Sequence, residues 1–223
     1  MQVAIDGPAS AGKSTVSKIV AERLSFIYID TGAMYRAVTL LAIERGVALS
    51  DEESITTLAK AIIIDFRLID GVQHIYINQI DRTDDIRTPE VAANVSAVSA
   101  IAGVREQMVA LQRNLAGEHD VVMDGRDIGT TVLPNAKVKI FLTASVESRA
   151  KRRQEDFQSK GINLALAQLE QDISARDYKD SHRAISPLKK AHDAVEIDTT
   201  NMTISDVVEA IIAVVKKNQE KNS

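Results

Sequence analysis

Cysteine is missing from all 223 residues, which removes disulfide frameworks, thiolate metal sites and cysteine nucleophiles. An excess of positive charge is missing too: 27 Lys and Arg stand against 31 Asp and Glu, a formal net charge of −4. That balance gives no electrostatic basis for nucleic acid as a partner. No apolar run approaches the length that spans a bilayer, and no leader-type segment precedes the first apolar stretch. The expected setting is therefore the cytoplasm, with no membrane partner. Internal repeats and low-complexity tracts are absent, and no His and carboxylate cluster has metal-ligand spacing. His119, His182 and His192 read as structural or incidental rather than catalytic. What remains is ordinary: 45% hydrophobic residues, enough core for one compact α/β domain with a small inserted subdomain.

Against that background one stretch stands out, Gly7-Pro8-Ala9-Ser10-Ala11-Gly12-Lys13-Ser14, with Thr15 following. It comes after the apolar run Val3-Ala4-Ile5-Asp6, of strand type. Behind it Val16, Ile19, Val20 and Leu24 recur at helical spacing. A G-x-x-x-x-G-K-[ST] pattern between a strand and a helix is a P-loop. Its glycines let successive backbone N–H groups turn toward a phosphate chain, and the helix N-terminus adds partial positive charge. Lys13 can reach the β- and γ-phosphates, and the Ser14 hydroxyl is placed to ligate Mg²⁺. The chain is expected to bind a nucleoside triphosphate.

A second strand, Phe26–Asp30, runs into Asp30-Thr31-Gly32-Ala33-Met34-Tyr35-Arg36 and another helix that stops at Gly46. Arg36 lies just beyond a strand end, where α/β sheets bind ligands; a solvated arginine and a phosphate contact are both open. Ser50-Asp51-Glu52-Glu53 reads as a capping box. Then the rhythm changes. Ile64–Leu68 and His74–Asn78 alternate with period two around Asp70-Gly71, an antiparallel hairpin inserted in a βα pattern. His74 reads as an ordinary surface strand residue. Helices follow around Val91–Ile101, which carries Ser96, and around Val104–Leu115, which carries Arg105.

Asp120–Met123 is a buried strand that empties into Asp124-Gly125-Arg126-Asp127-Ile128-Gly129. In P-loop proteins a carboxylate at a central strand end commonly holds the Mg²⁺ water shell. Asp124 could take that place, directly or through water, and Arg126 could hold an acceptor or transferring phosphate. Further on, Val138–Leu142 is a core strand. The helix after it bears Arg149, Lys151, Arg152 and Arg153, and Ile173–Arg183 is densely charged. Such runs are usually solvated faces. Two basic clusters on a mobile helical hairpin can also close over a triphosphate and exclude water. Ala194–Asp198 is the last strand, a helix from Ile204 to Val215 follows, and Lys216–Ser223 reads as a frayed tail.

Taken together, the P-loop, Asp30–Arg36, Asp124–Gly129 and Arg176-Asp177…Asp180…Arg183 resemble the bacterial cytidylate kinase family, in order and over nearly the whole chain. The resemblance implies an α/β fold: a P-loop NTPase core with a five-stranded parallel sheet flanked by helices. It adds an inserted NMP-binding domain with a small antiparallel β element, and a short helical lid. One kinase domain over 1–223 would comprise a core (1–35, 103–148, 184–223), the NMP-binding insertion (36–102) and the lid (149–183). The implied reaction moves the γ-phosphoryl group of ATP to CMP or dCMP, with Mg²⁺, in a monomer. Thr31, Arg36, Ser96, Arg105, Arg126, Asp127, Arg176, Asp180 and Arg183 match the family's acceptor site. Counterparts of Arg36 and Arg126 hold the monophosphate, and those of Arg176 and Asp180 the ribose. Counterparts of Ser96, Arg105 and Asp127 read the base, and that of Arg183 also contacts the nucleotide.

These implied roles suit cytosine, which presents an amino donor at N4 beside acceptors at N3 and O2. Transition-state charge would be met by Lys13, Mg²⁺, Arg126, Arg183 and the lid arginines Arg149 and Arg153. Departures from the family pattern are small: Thr31 replaces a common serine, Lys179 an arginine, and Ser14 a frequent glycine. Two other readings stay open, a P-loop kinase for another small acceptor such as UMP, AMP or shikimate, and an ATP-hydrolysing nucleotide switch.

Overall fold

The computed structural model describes residues 1–117, 119–159 and 161–220. The elements are β1 (Gln2–Asp6), α1 (Lys13–Leu24), β2 (Ile27–Asp30), α2 (Thr31–Glu44), α3 (Glu52–Ala61), β3 (Ile64–Ile69), β4 (Val72–Ile77) and β5 (Ile80–Asp81). After a 3-10 turn at Asp85–Arg87 come α4 (Pro89–Val98), α5 (Ala102–Ala116) and β6 (Val121–Gly125). A π-type turn at Ile128–Val132 precedes β7 (Val138–Thr143), α6 (Val146–Gln158), α7 (Leu166–His182), β8 (Val195–Asp198) and α8 (Ile204–Glu220).

The chain divides into two compact units, Met1–Tyr28 with Ala116–Ser223, and Ile29–Leu115. The first is organised by a five-stranded parallel sheet of order β2-β6-β1-β7-β8. β1 lies between β6, with Asp6 opposite Gly125, and β7, with Asp6 opposite Phe141. A parallel strand flanked on both edges and covered on both faces must be apolar throughout, and Val3, Ala4 and Ile5 are fully buried. α1 and α8 pack on this sheet. Val16 and Val20 from α1 meet Val208, Ile211 and Val215 from α8 in one cluster with Val3, Ile5, Ile140 and Leu142. α6 and α7 have a smaller core of their own, Ala150 with Leu169 and Ile173, covered by Val146, Phe157 and Leu166.

In the second unit α2 packs against α3 and α4, burying Met34, Val38, Ile55, Val91, Val95 and Val98. Its sheet is antiparallel, of order β3-β4-β5. The expected hairpin is present, with Phe66 opposite Ile75, and a third strand, β5, continues it. Two residues are too few to show a period, so β5 leaves no sequence pattern. His74 is tied to this addition: its Nδ1 lies 2.7 Å from Asp81 Oδ2.

Two local expectations need correction. Asp51, not Ser50, caps α3 and accepts from Ser54 N–H at 3.0 Å. Either side chain can cap; starting the helix one residue later puts the carboxylate beside the free N–H. The frayed tail is also revised. Residues Lys216–Glu220 continue α8, with Asn218 Nδ2 donating to Lys137 O, while residues 221–223 of that segment lie outside the described residues.

Candidate active site

The P-loop starts where β1 ends. Gly7 has φ 152°, and a Cβ there would come within 2.2 Å of the Leu142 carbonyl oxygen on β7; only glycine allows that approach. Gly12, in the left-handed region at φ 85°, opens α1, a conformation glycine adopts without steric cost. Lys13 is buried, and its ammonium donates to Pro8 O at 2.7 Å, back across the loop. Burial pushes its pKa well below the ordinary lysine value. Arg126 and Arg176 push the same way, against Asp124 and Asp6. An ammonium held among cations in a dry loop has an unmet demand for anionic charge, which a triphosphate would meet.

Ser14 and Asp124, each read from the sequence as a candidate for the metal, meet: Ser14 Oγ donates to Asp124 Oδ2 at 2.9 Å. Tyr28 of β2, which the sequence did not single out, donates its hydroxyl to Asp124 Oδ1 at 2.7 Å. This hydroxyl and carboxylate pair is a hard-oxygen donor set that suits Mg²⁺, an ion that usually takes one or two protein ligands and fills its shell with phosphate and water. Among the described residues no group of three or more His, Cys, Asp or Glu could hold a metal.

Beyond Asp124 the β6 strand delivers Arg126 and Asp127. Arg126 Nε donates to Asp180 Oδ2 at 2.9 Å, and Arg183 Nη2 lies 3.4 Å from Asp127 Oδ1. Asp127 and Asp180 are both buried. On α7 the residues Ile173, Arg176, Asp177 and Asp180 are spaced i, i+3, i+4, i+7. That places them on one face of the helix, and none of the four is exposed. The charged run is thus a solvated face on one side and a polar lining on the other.

Arg149 is 4% exposed and engaged on three sides. Its Nε donates to Ala144 O and its Nη1 to Ala9 O, each at 3.0 Å, and Nη1 pairs with Asp177 Oδ2 at 2.6 Å. Asp177 Oδ1 in turn accepts from Ala9 N–H at 3.3 Å. Ala9 of the P-loop is therefore gripped at both its N–H and its C=O, in two successive peptides. Arg153 points differently, its guanidinium 5.3 Å from the Phe157 ring centroid. Arg152 is bound to Thr199 through Oγ1 and the carbonyl.

Among the remaining expected residues, Thr31 and Arg36 sit in the first turns of α2. Asp30 caps that helix by accepting from Ala33 N–H at 2.8 Å, and its Oδ2 holds Arg36 Nη2 at 3.2 Å. Arg105 is buried on α5, donates to Ser99 O at 3.1 Å, and lies 5.4 Å from the Tyr35 ring centroid. Ser96 is half-buried on α4, its carbonyl accepting from Ser99 Oγ at 3.1 Å. Asp6, absent from the sequence expectations, is buried at the end of β1. It accepts from two loop N–H groups, and burial above all pushes its carboxyl up to about 6.

A glycine loop between the central strand and a helix, with a buried lysine and a strand-end carboxylate facing the helix serine, defines the P-loop kinase class. Consistent in fold is a shikimate kinase from Acinetobacter baumannii, solved with shikimate, which superposes with a TM-score of 0.50 at 16% identity over 97% of this chain and 93% of that one. The chain belongs to the cytidylate kinase family, whose model matches residues 3–217. A cytidylate kinase of Lactobacillus johnsonii is 63% identical over 220 residues, 99% of this chain and 96% of that protein. One from Bacillus licheniformis is 57% identical over 220 residues, covering 98% and 97%.

Proposed function

We propose that this protein transfers the γ-phosphoryl group of ATP to CMP or dCMP, giving ADP and CDP or dCDP. The observation that carries the reading is membership of the cytidylate kinase family across residues 3–217. The acceptor is itself a phosphate anion, so no strong general base is required. The demand is for positive charge that holds two anions in line. Lys13 supplies it at the triphosphate, and Arg36 and Arg126 hold the acceptor phosphate. Before it can do so, Arg126 must exchange its bond to Asp180 for the incoming anion. Arg176 and Asp180 take the ribose, and Arg183 closes on the nucleotide. Asp127 accepts from cytosine N4 while Ser96 and Arg105 donate to its acceptors. Uracil would set an oxygen against that carboxylate, leaving buried partners unpaired.

Ser14 and Asp124, the latter directly or through water, would hold Mg²⁺, which would neutralise charge on the phosphate oxygens. Residues 36–102 serve as the NMP-binding insertion, 149–183 as the lid, and the rest as the core of a cytoplasmic monomer. Arg153 contributes lid charge to the transferring group; Arg149 can do so only after releasing Ala9 O.

The test is ADP formation from Mg·ATP with CMP, dCMP, UMP, AMP, GMP and no acceptor. Turnover confined to CMP and dCMP is expected. Equal turnover without acceptor would refute the kinase reading, and preference for UMP or AMP would refute the base assignment.

A further inference from the structure

Asp6 closes β1 one residue ahead of the P-loop and is 3% exposed. Its two carboxylate oxygens are engaged by successive peptides of a single loop. Oδ1 accepts from Ile128 N–H and Oδ2 from Gly129 N–H, each at 2.8 Å. Those peptides follow Asp127 directly. The Asp127 carbonyl accepts from Thr131 N–H at 2.8 Å and Val132 N–H at 3.1 Å, closing the turn over the same stretch. The backbone that carries the Asp127 side chain is therefore clamped to the central strand, which cannot shift because β6 and β7 flank it. A carboxylate accepts two N–H groups at once; an amide of the same size offers one acceptor oxygen and a donor.

We propose that Asp6 is the positioning residue for Asp127, fixing the carboxylate that reads the cytosine amino group and so setting base selectivity. The inference rests on the base-reading role given to Asp127 above. Its physical basis is that a site which reads a base by hydrogen bonds discriminates only while its buried partners are aimed at the right atoms, since a misaligned partner is left unpaired with either base. Asp6 touches no nucleotide in this scheme. It acts through the Ile128–Gly129 backbone.

Charged groups face Asp6 from two sides. Lys13 approaches from α1 and Asp127 from the loop after β6. On the β7 side the Lys139 stem lies beside Gly129, its ammonium turned to Asp193 and Pro134 O. Protonation of Asp6 would turn one accepting oxygen into a donor facing an N–H and open the clamp on one side.

The test compares kcat and KM for CMP, UMP and ATP in the wild type and in Asp6→Asn, Gly129→Ala and Asp127→Asn. It is run over pH about 5.5 to 7.5, across the Asp6 transition near 6. CMP and UMP carry the same phosphate, so its ionisation cancels in their ratio. Asp6→Asn leaves one buried N–H unpaired. CMP-over-UMP selectivity is expected to fall about tenfold or more, through KM for CMP, with KM for ATP changed less than about twofold. Wild-type selectivity should decline below pH about 6, and the variant's should stay flat.

Gly129→Ala places a Cβ 3.2 Å from Lys139 Cδ and 3.4 Å from Asp6 Oδ2. The Lys139 stem must give while Asp6 stays at ordinary contact distance, so this variant reports a push on the loop without breaking the clamp, and the wild-type pH profile decides the matter if Asp6→Asn does not fold. Unchanged selectivity in Asp6→Asn, a pH-independent wild-type selectivity where that variant does not fold, or an equal rise in KM for ATP and CMP, overturns the proposal. Unchanged selectivity in Asp127→Asn overturns the base reading and the proposal with it. Loss in Asp127→Asn without loss in Asp6→Asn overturns the proposal alone.

Discussion

Replacing Arg149 by methionine separates two roles that its position allows. The side chain keeps an unbranched stem but loses the guanidinium and with it every donor. Three contacts go: Nε to Ala144 O at 3.0 Å, Nη1 to Ala9 O at 3.0 Å, and the 2.6 Å pair with Asp177. Removing one partner of a buried ion pair costs about 3–5 kcal/mol. Asp177 is 21% exposed, so water can reach its carboxylate and the lower end applies, about 3 kcal/mol. For a chain of this size that is a fall in Tm of about 6–12 °C. The measurement is thermal unfolding of the ligand-free protein, read beside kcat and KM for ATP. A brace for the P-loop predicts the Tm loss together with a raised KM for ATP, because the Ala9 carbonyl is no longer held. A Tm within about 2 °C of wild type, with kcat reduced about a hundredfold, would refute the bracing argument and make Arg149 a phosphate contact.

Two further outcomes follow from burial. The Asp6 carboxyl titrates near 6 when folded against 3.8 as the ordinary value. The folded state therefore binds this proton more tightly than the unfolded state, and the stability gap between wild type and Asp6→Asn should shift toward wild type as pH falls from 7 to 5. The expected size is about 1.4 kcal/mol per pH unit below the folded pKa. Urea unfolding at both pH values reads it, and a pH-independent gap would contradict the assigned burial. Ile211→Ala on α8 empties a fully buried position. It should cost about 2–5 kcal/mol in denaturant unfolding and leave CMP-over-UMP selectivity intact; altered selectivity would mean the α8 core reaches the site.

The P-loop was legible because its chemistry needs fixed spacing along the chain, from Gly7 to Lys13 and Ser14, and Asp124 was legible as a carboxylate at the end of an apolar strand. The parallel sheet was legible because strands covered on both faces must be apolar runs, as β1, β6 and β7 are. β5 was not, being two residues long. The inward stripe of α7 was present in the sequence as Arg176, Asp177 and Asp180 at helical spacing. Its charge density alone suggested solvent, and the period of the charges, set against Ile173 in the core, is the signal that could have found it. Asp6 and Tyr28 left no signal. Asp6 meets backbone groups 122 and 123 residues away, and Tyr28 meets a carboxylate 96 residues away. Such distances carry no pattern in a single sequence.

The legible and illegible charges differ in what they act on. Residues that meet a ligand must present particular side-chain chemistry at a loop, and motif spacing records it. Asp6, Asp177 and Arg149 act on the backbone instead, and of these only Arg149 was expected at the site, in a different role. Asp6 grips the Ile128–Gly129 peptides, and Asp177 with Arg149 grips Ala9 at its N–H and its C=O. A flexible glycine loop binds phosphate well only if its peptides are already aimed, since each one left free adds an ordering cost to binding. Buried charges of this kind contribute little net stability by themselves. Their value lies in fixing the direction of N–H and carboxylate groups before the substrate arrives. Substitution at them should therefore show first in KM and selectivity, while changes at Lys13 or Arg126 show first in kcat.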